Sequence, residues 1–143
     1  AFATFYAARN EVALYDDALG CLEHVATRVR LASLSNGNAD LERIGLAHHF
    51  EHRISARDVG VMKPDPAIFA HLCVALDLAP AQIAHIGDDP GMDVVGAKQA
   101  GLFAIWLNRE GRPWTHALRP DLEVSNLNQL CVWLDAHLHA SAE

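Results

Sequence analysis

The chain has 143 residues, of which 51% are hydrophobic and 20% are charged, and its formal net charge is −7. This length suits one domain with a buried core, and the apolar content excludes a disordered chain. Because Lys and Arg form no block and no apolar run approaches the ~18 residues of a membrane span, we expect neither a nucleic-acid nor a membrane partner.

The three cysteines, Cys21, Cys73 and Cys131, are widely spaced, and none belongs to a Cys-x-x-Cys pair. An odd number at such spacing argues against a disulfide framework. We therefore expect reduced thiols and a cytoplasmic location.

The first segment, residues 1–12, carries aromatic residues and an arginine at helical spacing (Phe2, Phe5, Tyr6 and Arg9). This spacing predicts the end of a helix that begins upstream, and we expect an N-terminal portion to be missing. An amphipathic helix over 17–28 follows, with apolar residues at a period of 3.6.

Farther along, strands alternate with helices. The predicted strands are 30–34, 53–55, 83–87, 102–107 and 122–124, and the predicted helices are 40–44, 64–77, 91–100 and 127–138. This alternation predicts an α/β fold, with a mostly parallel sheet covered by helices on both faces.

An acidic loop follows the predicted strand 83–87. Asp88 and Asp89 come directly after Gly87, and Asp93 lies five residues beyond Asp88. Carboxylates at the carboxyl end of a buried strand lie where open α/β sheets bind ligands, and hard oxygen ligands suit Mg²⁺. Taken alone, the loop is explained equally well as a solvated turn.

Two other polar segments are predicted to reach the same edge of the sheet. Ser35, Asn36 and Gly37 follow the strand 30–34, and Lys63 precedes a helix. A hydroxyl, backbone N–H groups and a compact cation together suit a phosphate group. Alone, the first segment is more simply a turn, and Lys63 a solvated surface lysine.

In their order and spacing, these segments resemble motifs two, three and four of the haloacid dehalogenase-like (HAD) hydrolase superfamily. The matching segments are Ser35-Asn36-Gly37, Lys63-Pro64-Asp65-Pro66, and Gly87-Asp88-Asp89 with Asp93 and Ala97-x-x-Ala100-Gly101, within a match over 9–130. The resemblance implies a Rossmann-like core and Mg²⁺-dependent hydrolysis of small phosphate monoesters.

The resemblance also implies a role for each residue. Ser35 would hold the transferring phosphoryl group, with Asn36 and Gly37 in the same substrate-binding turn. Lys63 would neutralise the nucleophile and the phosphate. Asp88 would bind Mg²⁺ directly, and Asp93 would support the metal site through water. Asp89 would be a neighbouring residue of the metal site.

The first motif of the superfamily, a strand ending in Asp-x-Asp that carries the nucleophile, is absent. Asp16-Asp17 is the only acidic pair before Ser35, and we reject it because no apolar strand precedes it and it heads a helix. We expect the nucleophile upstream, with 1–12 as a remnant of a helical cap domain and 13–143 as an incomplete core. This core would lack the strand between those ending at Ser35 and Asp88.

A sheet without its central strand leaves two neighbours with unpaired N–H and C=O groups, which are costly if buried. We therefore expect 1–143 alone to be inactive. We also expect it to be unstable unless it pairs with the missing segment or with another copy, as a homodimer or by strand exchange.

Within the superfamily, Asp88 and Asp93 favour the Mg²⁺ phosphatases, although Ser35-Asn36-Gly37 is also similar to the haloacid dehalogenases. Taken together, residues 60–64, 85–89, 106–109 and 122–124 are similar to bacterial phosphatases of flavin mononucleotide and riboflavin-pathway sugar phosphates. The alternatives are a non-catalytic HAD-like binding or scaffold domain and a 2-haloacid dehalogenase.

The remaining candidates have simpler explanations. His48, His49 and His52 are interpreted as a solvated or partly packed loop rather than a metal site. His85 is predicted to be a hydrogen-bonded core residue. The three tryptophans are assigned to core packing, because their sequence spacing is too wide for a stacking platform (Trp106, Trp114 and Trp133).

Overall fold

The computed structural model describes residues 3–6, 20, 23–24, 27–35 and 50–141. Its six strands form one parallel sheet in the order β3-β2-β1-β4-β5-β6. The strands are β1 (Ala3–Tyr6), β2 (Leu31–Ser35), β3 (His52–Ser55), β4 (Ile83–Gly87), β5 (Phe103–Leu107) and β6 (Leu122–Val124). The predicted α/β fold with a parallel sheet is confirmed.

Four α-helices are described over their whole length. They are α1 (Ala56–Val59), α2 (Pro66–Leu76), α3 (Gly96–Gln99) and α4 (Leu127–Ser141); a 3₁₀ turn (Pro80–Gln82) precedes β4, and a π-helical turn (Pro90–Val95) runs into α3. The predicted helix 91–100 is therefore present but begins in π geometry. No described helix has the length and apolar character to cross a membrane.

Two predicted helices fall mainly on residues that the structure does not describe. The predicted helix 40–44 lies wholly outside the described residues. Of the predicted helix 17–28, Gly20, Glu23 and His24 are described, and all three are helical.

The core lies on both faces of the sheet, because successive strand residues point to opposite sides. Ile105 and Leu107 of β5 pack on the face that α4 covers. Ala104 and Trp106 of the same strand pack on the face covered by α2 and α3. This second face also carries the acidic loop after β4.

The central strand corrects a prediction. Ala3–Tyr6 were expected at the end of a cap helix, and the position between β2 and β4 was expected to lack its strand. The structure instead places Ala3–Tyr6 there as a parallel strand, with Tyr6 paired to Ser33 on one side and to Ile86 on the other. The physical reason is that pairing on both edges satisfies backbone groups of all three strands, which a helix would leave open.

Candidate active site

The acidic loop is shaped by the turn that follows β4. The backbone carbonyl of Asp89 accepts hydrogen bonds from the N–H groups of Asp93 at 3.0 Å and Val94 at 3.3 Å, which opens the helix in π geometry. The side chain of Asp89 caps the same turn by accepting from the N–H of Met92 at 2.8 Å. The turn brings Asp93 back against Gly87.

Gly87 is required at the end of β4 by this close approach. A β-carbon at position 87 would overlap the side chain of Asp93. The absence of a side chain at Gly87 therefore leaves the space in which the Asp93 carboxylate lies.

The substitution Gly87→Ala is expected to lower the free energy of unfolding by about 1–3 kcal/mol, because the added methyl group forces Asp93 out of position. Gly91→Ala is the matched control: the nearest heavy atom to a β-carbon there is Asp89 Oδ1, at an ordinary 3.7 Å. Urea denaturation of both variants checks this prediction, and equal losses of stability would contradict it.

The carboxylate of Asp93 joins three parts of the chain. Its Oδ1 accepts from Lys63 Nζ at 2.6 Å and from His85 Nε2 at 3.1 Å. Its Oδ2 accepts from the backbone N–H of Asp89 at 3.1 Å. Lys63, His85 and Asp93 are all buried, so these bonds form in a region with little water to compete.

The ionisation of this group follows from its surroundings. Burial alone would raise the pKa of Asp93, but hydrogen bonds from His85 and Lys63, with the charge of Lys63, outweigh burial and hold that pKa far below its ordinary value. Burial also lowers the pKa of His85 despite the adjacent carboxylate. The site therefore holds a carboxylate and a neutral imidazole, whose Nε2 carries the proton because a carboxylate can only accept.

Lys63 reaches this position through tight packing of its loop. The loop begins at Gly60, whose positive φ of 88° ends α1. A methyl group at Gly96 would lie 3.0 Å from Pro64 Cβ, so Pro64 packs directly on the first turn of α3. The simpler alternative for Lys63, a solvated surface lysine, is wrong, because its side chain is 6% exposed and paired with Asp93.

Asp88 lies at the edge of this buried group and is half-buried. Its backbone carbonyl accepts a hydrogen bond from Trp106 Nε1 at 3.1 Å. Trp106 is the sheet neighbour of Gly87, the residue before Asp88. The acidic loop is therefore attached to β5 as well as to β4.

Ser35 is the last residue of β2, and its backbone lies at the level of Asp88. Tyr6 of β1 pairs with both Ser33 and Ile86, and Ser35 and Asp88 each lie two residues beyond these partners. With one strand between them, their backbones are about 10 Å apart across the sheet. Asn36 and Gly37, the other predicted substrate-binding residues, lie outside the described residues.

The donor chemistry of the acidic loop fits Mg²⁺ in part. Asp88 and Asp89 are half-buried carboxylates at a strand end, which are suitable hard ligands. Both oxygens of Asp93 already accept hydrogen bonds from the protein, which suits a supporting position. Among the described residues, no three His, Cys, Asp or Glu side chains converge as a metal site, so Mg²⁺ would need further oxygen ligands from elsewhere.

The histidine loop is described only at its end. His48 and His49 lie outside the described residues, and His52 Nε2 lies 3.8 Å from Glu51 Oε1 at the surface. His85, by contrast, is the buried and hydrogen-bonded core histidine that the sequence predicted.

Comparison with known families identifies this arrangement. The family model of haloacid dehalogenase-like hydrolases matches residues 2–101. The chain belongs to this family. Its α/β fold agrees with a solved HAD structure, a 2-haloacid dehalogenase from Pseudomonas syringae, which superposes with a TM-score of 0.83 at 36% identity over 94% of this chain and 56% of that one.

Two curated HAD relatives are phosphatases. A phosphoserine phosphatase of Thermus thermophilus is 39% identical over 132 residues, which is 88% of this chain and 53% of the relative. A 5-amino-6-(5-phospho-D-ribitylamino)uracil phosphatase of Escherichia coli, YigB, is 34% identical over 76% of this chain and 48% of the relative. The chain thus spans about half the length of the curated HAD relatives that it matches.

Three contributors to the HAD site were not predicted from the sequence as site residues. Gly87 admits Asp93, His85 donates to Asp93, and Trp106 donates to the carbonyl of Asp88. His85 and Trp106 lie in the segments 85–89 and 106–109 that resemble bacterial phosphatases, but that resemblance implies no site role for either residue. The core packing predicted for Trp106 is confirmed, because this side chain is 1% exposed and its ring meets that of Trp114 edge to face, at 4.9 Å between ring centroids.

Proposed function

We propose that this chain is the C-terminal portion of a Mg²⁺-dependent HAD phosphatase that hydrolyses small phosphate monoesters. In the complete enzyme, a strand upstream of residue 1 would take the central position that Ala3–Tyr6 occupy here. An Asp at the end of that strand would attack the phosphorus atom in line, displace the alcohol of the monoester and form an aspartyl-phosphate, which water would then hydrolyse. The observation that carries the proposal is the buried Lys63–Asp93 pair beside Asp88, at the carboxyl edge of a parallel sheet.

The proposal gives each residue of this chain a limited task. Ser35 would donate a hydrogen bond to a phosphoryl oxygen, and Asn36 and Gly37 would complete the turn around it. Lys63 would offset the negative charge of the nucleophile and the phosphate. Because Asp93 holds Lys63 Nζ at 2.6 Å, the cation is fixed before substrate arrives.

Asp88 would hold Mg²⁺ directly, Asp89 would lie beside it, and Asp93 would support the site through water. When bound, Mg²⁺ would stabilise charge on the phosphoryl oxygens. The hydrogen bonds to both oxygens of Asp93 support its indirect assignment, since a carboxylate already held by three protein donors is less available as a ligand.

A second candidate is a 2-haloacid dehalogenase. It is favoured by the structural similarity to the Pseudomonas syringae dehalogenase at 36% identity. The acidic pair Asp88-Asp89 favours the phosphatase, because carboxylates at this edge repel an anionic substrate unless a cation lies between them.

A third candidate is a HAD-like domain that binds or scaffolds without catalysis. It is favoured by the central strand, since Ala3–Tyr6 contain no carboxylate. In this case Ala3–Tyr6 would be the central strand of the functional protein, and that strand would carry no acidic residue that could act as a nucleophile.

The test compares the longer protein that contains this chain with 1–143 alone. Both are assayed on a panel of phosphate monoesters and on 2-haloacids, each with Mg²⁺ and after chelation. The proposal expects phosphate release only by the longer protein with Mg²⁺. Halide release that survives chelation would establish the dehalogenase instead, and inactivity of both proteins on every substrate would favour the binding domain.

A further inference from the structure

The peptide group between Asp88 and Asp89 is held at both of its polar ends. Its carbonyl accepts from Trp106 Nε1 at 3.1 Å, and its N–H donates to Asp93 Oδ2 at 3.1 Å. We propose that Trp106 is a positioning residue that fixes this peptide group, and with it the acidic loop, against the Lys63–Asp93 pair. The inference rests on the proposed function, in which Asp88 is a metal ligand.

Two hydrogen bonds on one peptide group define its orientation, because the group is planar. Fixing that plane restricts ψ of Asp88 and φ of Asp89, and therefore the direction in which each side chain leaves the backbone. A ligand that is ordered in advance binds more tightly, since its conformational entropy is not lost on binding. Trp106 would thus increase metal affinity without touching the metal.

Trp106 is well suited to this task because it is itself rigidly held. It lies on β5 and is 1% exposed. Its ring meets the ring of Trp114 edge to face, with an interplanar angle of 65°. The indole N–H is a donor only and has no rotatable hydrogen, so its direction is set by the ring.

The loop before Trp114 is fixed in turn by the buried side chain of Asn108. Asn108 Nδ2 donates to the carbonyl of Arg112 at 2.9 Å and to Glu123 Oε2 at 3.1 Å, and Asn108 Oδ1 accepts from the N–H of Arg112 at 3.0 Å. A continuous set of contacts therefore runs from β6 through this loop and the two tryptophans to Asp88.

The chain offers a matched control for the hydrogen bond of Trp106. Trp114 Nε1 is also buried, but it has no hydrogen-bond partner among the described residues. Trp106→Phe and Trp114→Phe therefore make the same chemical change in adjacent rings, and only the first removes a hydrogen bond to the acidic loop.

The experiment uses the longer protein and measures Mn²⁺ affinity by titration, together with the ¹³C shift of the Asp88 carbonyl by NMR. We expect Trp106→Phe to weaken Mn²⁺ binding about 3- to 10-fold, the value of one hydrogen bond, and to move the Asp88 carbonyl resonance. Trp114→Phe keeps an aromatic ring against Trp106 and removes no hydrogen bond, so it should change both much less than Trp106→Phe. Asp88→Asn identifies the metal site by losing most Mn²⁺ affinity.

The outcomes separate the two claims. If Asp88→Asn weakens Mn²⁺ binding while Trp106→Phe leaves it unchanged, the positioning role is wrong and the proposed function stands. If the unsubstituted protein binds no Mn²⁺, or Asp88→Asn binds it equally well, the proposed metal site is wrong. The positioning role then depends on the carbonyl resonance, and an unchanged resonance in Trp106→Phe overturns it.

A further measurement covers the case in which Trp106→Phe does not fold. Deuteration of the indole nitrogen in the unsubstituted protein should shift the ¹³C resonance of the Asp88 carbonyl by an isotope effect across the hydrogen bond. A carbonyl resonance that does not respond to this deuteration would overturn the positioning role.

Discussion

Replacing Lys63 by methionine is expected to lower the free energy of unfolding by about 3–5 kcal/mol, as is typical when one partner of a buried ion pair is removed. Lys63 Nζ lies 2.6 Å from Asp93 Oδ1, and the two side chains are 6% and 4% exposed. Methionine fills a similar volume but leaves the carboxylate of Asp93 buried without its cationic partner. Urea denaturation at neutral pH measures the loss.

Lys98→Met is the matched control. Lys98 Nζ also pairs with an aspartate, Asp121, at 2.9 Å, but these side chains are 26% and 27% exposed. Water already screens this pair, so its loss should cost about 1 kcal/mol or less. Equal losses in the two lysine variants would show that the Lys63–Asp93 pair behaves as a surface pair.

The double variant Lys63→Met/Asp93→Asn isolates the buried charge as the cause. With both charges removed, no ion remains unpaired, and buried pairs replaced by neutral groups are often close to neutral in stability. We expect the double variant to be more stable than Lys63→Met alone. A double variant that is less stable than Lys63→Met would contradict this explanation.

The pH dependence of the Lys63→Met deficit gives an independent check. In the wild type, the pKa of Asp93 is lowered, so its contribution to stability is complete above the unfolded pKa and is lost only as pH falls toward the folded pKa. Without Lys63, the Asp93–His85 pair should take up a proton at higher pH, because burial disfavours its uncompensated charge. The deficit should therefore be largest near pH 7 and shrink as the pH is lowered.

The sequence predicts best the elements whose signals are local. The helix predicted over 64–77 is present as α2, but it begins at Pro66, two residues after the predicted start at Pro64, because Asp65 caps it by accepting from the N–H of Ala67 at 2.9 Å. The strand β4 has the predicted bounds, 83–87, since an apolar run ends there at a glycine and two carboxylates. Each signal is contained within a few residues.

Prediction from the sequence fails where a residue's secondary structure or burial depends on partners that are distant in the chain. Ala3–Tyr6 are aromatic and small residues that fit either a helix or a strand, and pairing with β2 and β4, more than 20 residues away, determines the outcome. Likewise, nothing around Lys63 indicates that it is buried, because its partner Asp93 lies 30 residues further on. The roles of Gly87 and Trp106 depend on close approaches that only the folded sheet creates.

Asp88→Asn in the longer protein is expected to reduce Mg²⁺-dependent phosphate release by about 10²–10³-fold, the effect of losing one strong electrostatic contact to the transition state. Asparagine has nearly the same shape, and it keeps the backbone carbonyl that accepts from Trp106 Nε1. The fold should therefore be unchanged while a charged oxygen ligand is lost. The measurement is kcat as a function of Mg²⁺ concentration.

Two further Asp→Asn variants test whether the loss of phosphate release is specific to Asp88. Asp121 pairs with Lys98 and accepts from the N–H of Ala104, near the amino ends of β5 and β6, so Asp121→Asn should keep its activity. Asp89 caps the π-helical turn through Met92, and asparagine retains an acceptor for that bond, so the loss should be small. If Asp89→Asn lowers kcat as much as Asp88→Asn does, both carboxylates are metal ligands. If Asp88→Asn keeps full activity with intact Mg²⁺ dependence, Asp88 is not part of the metal site.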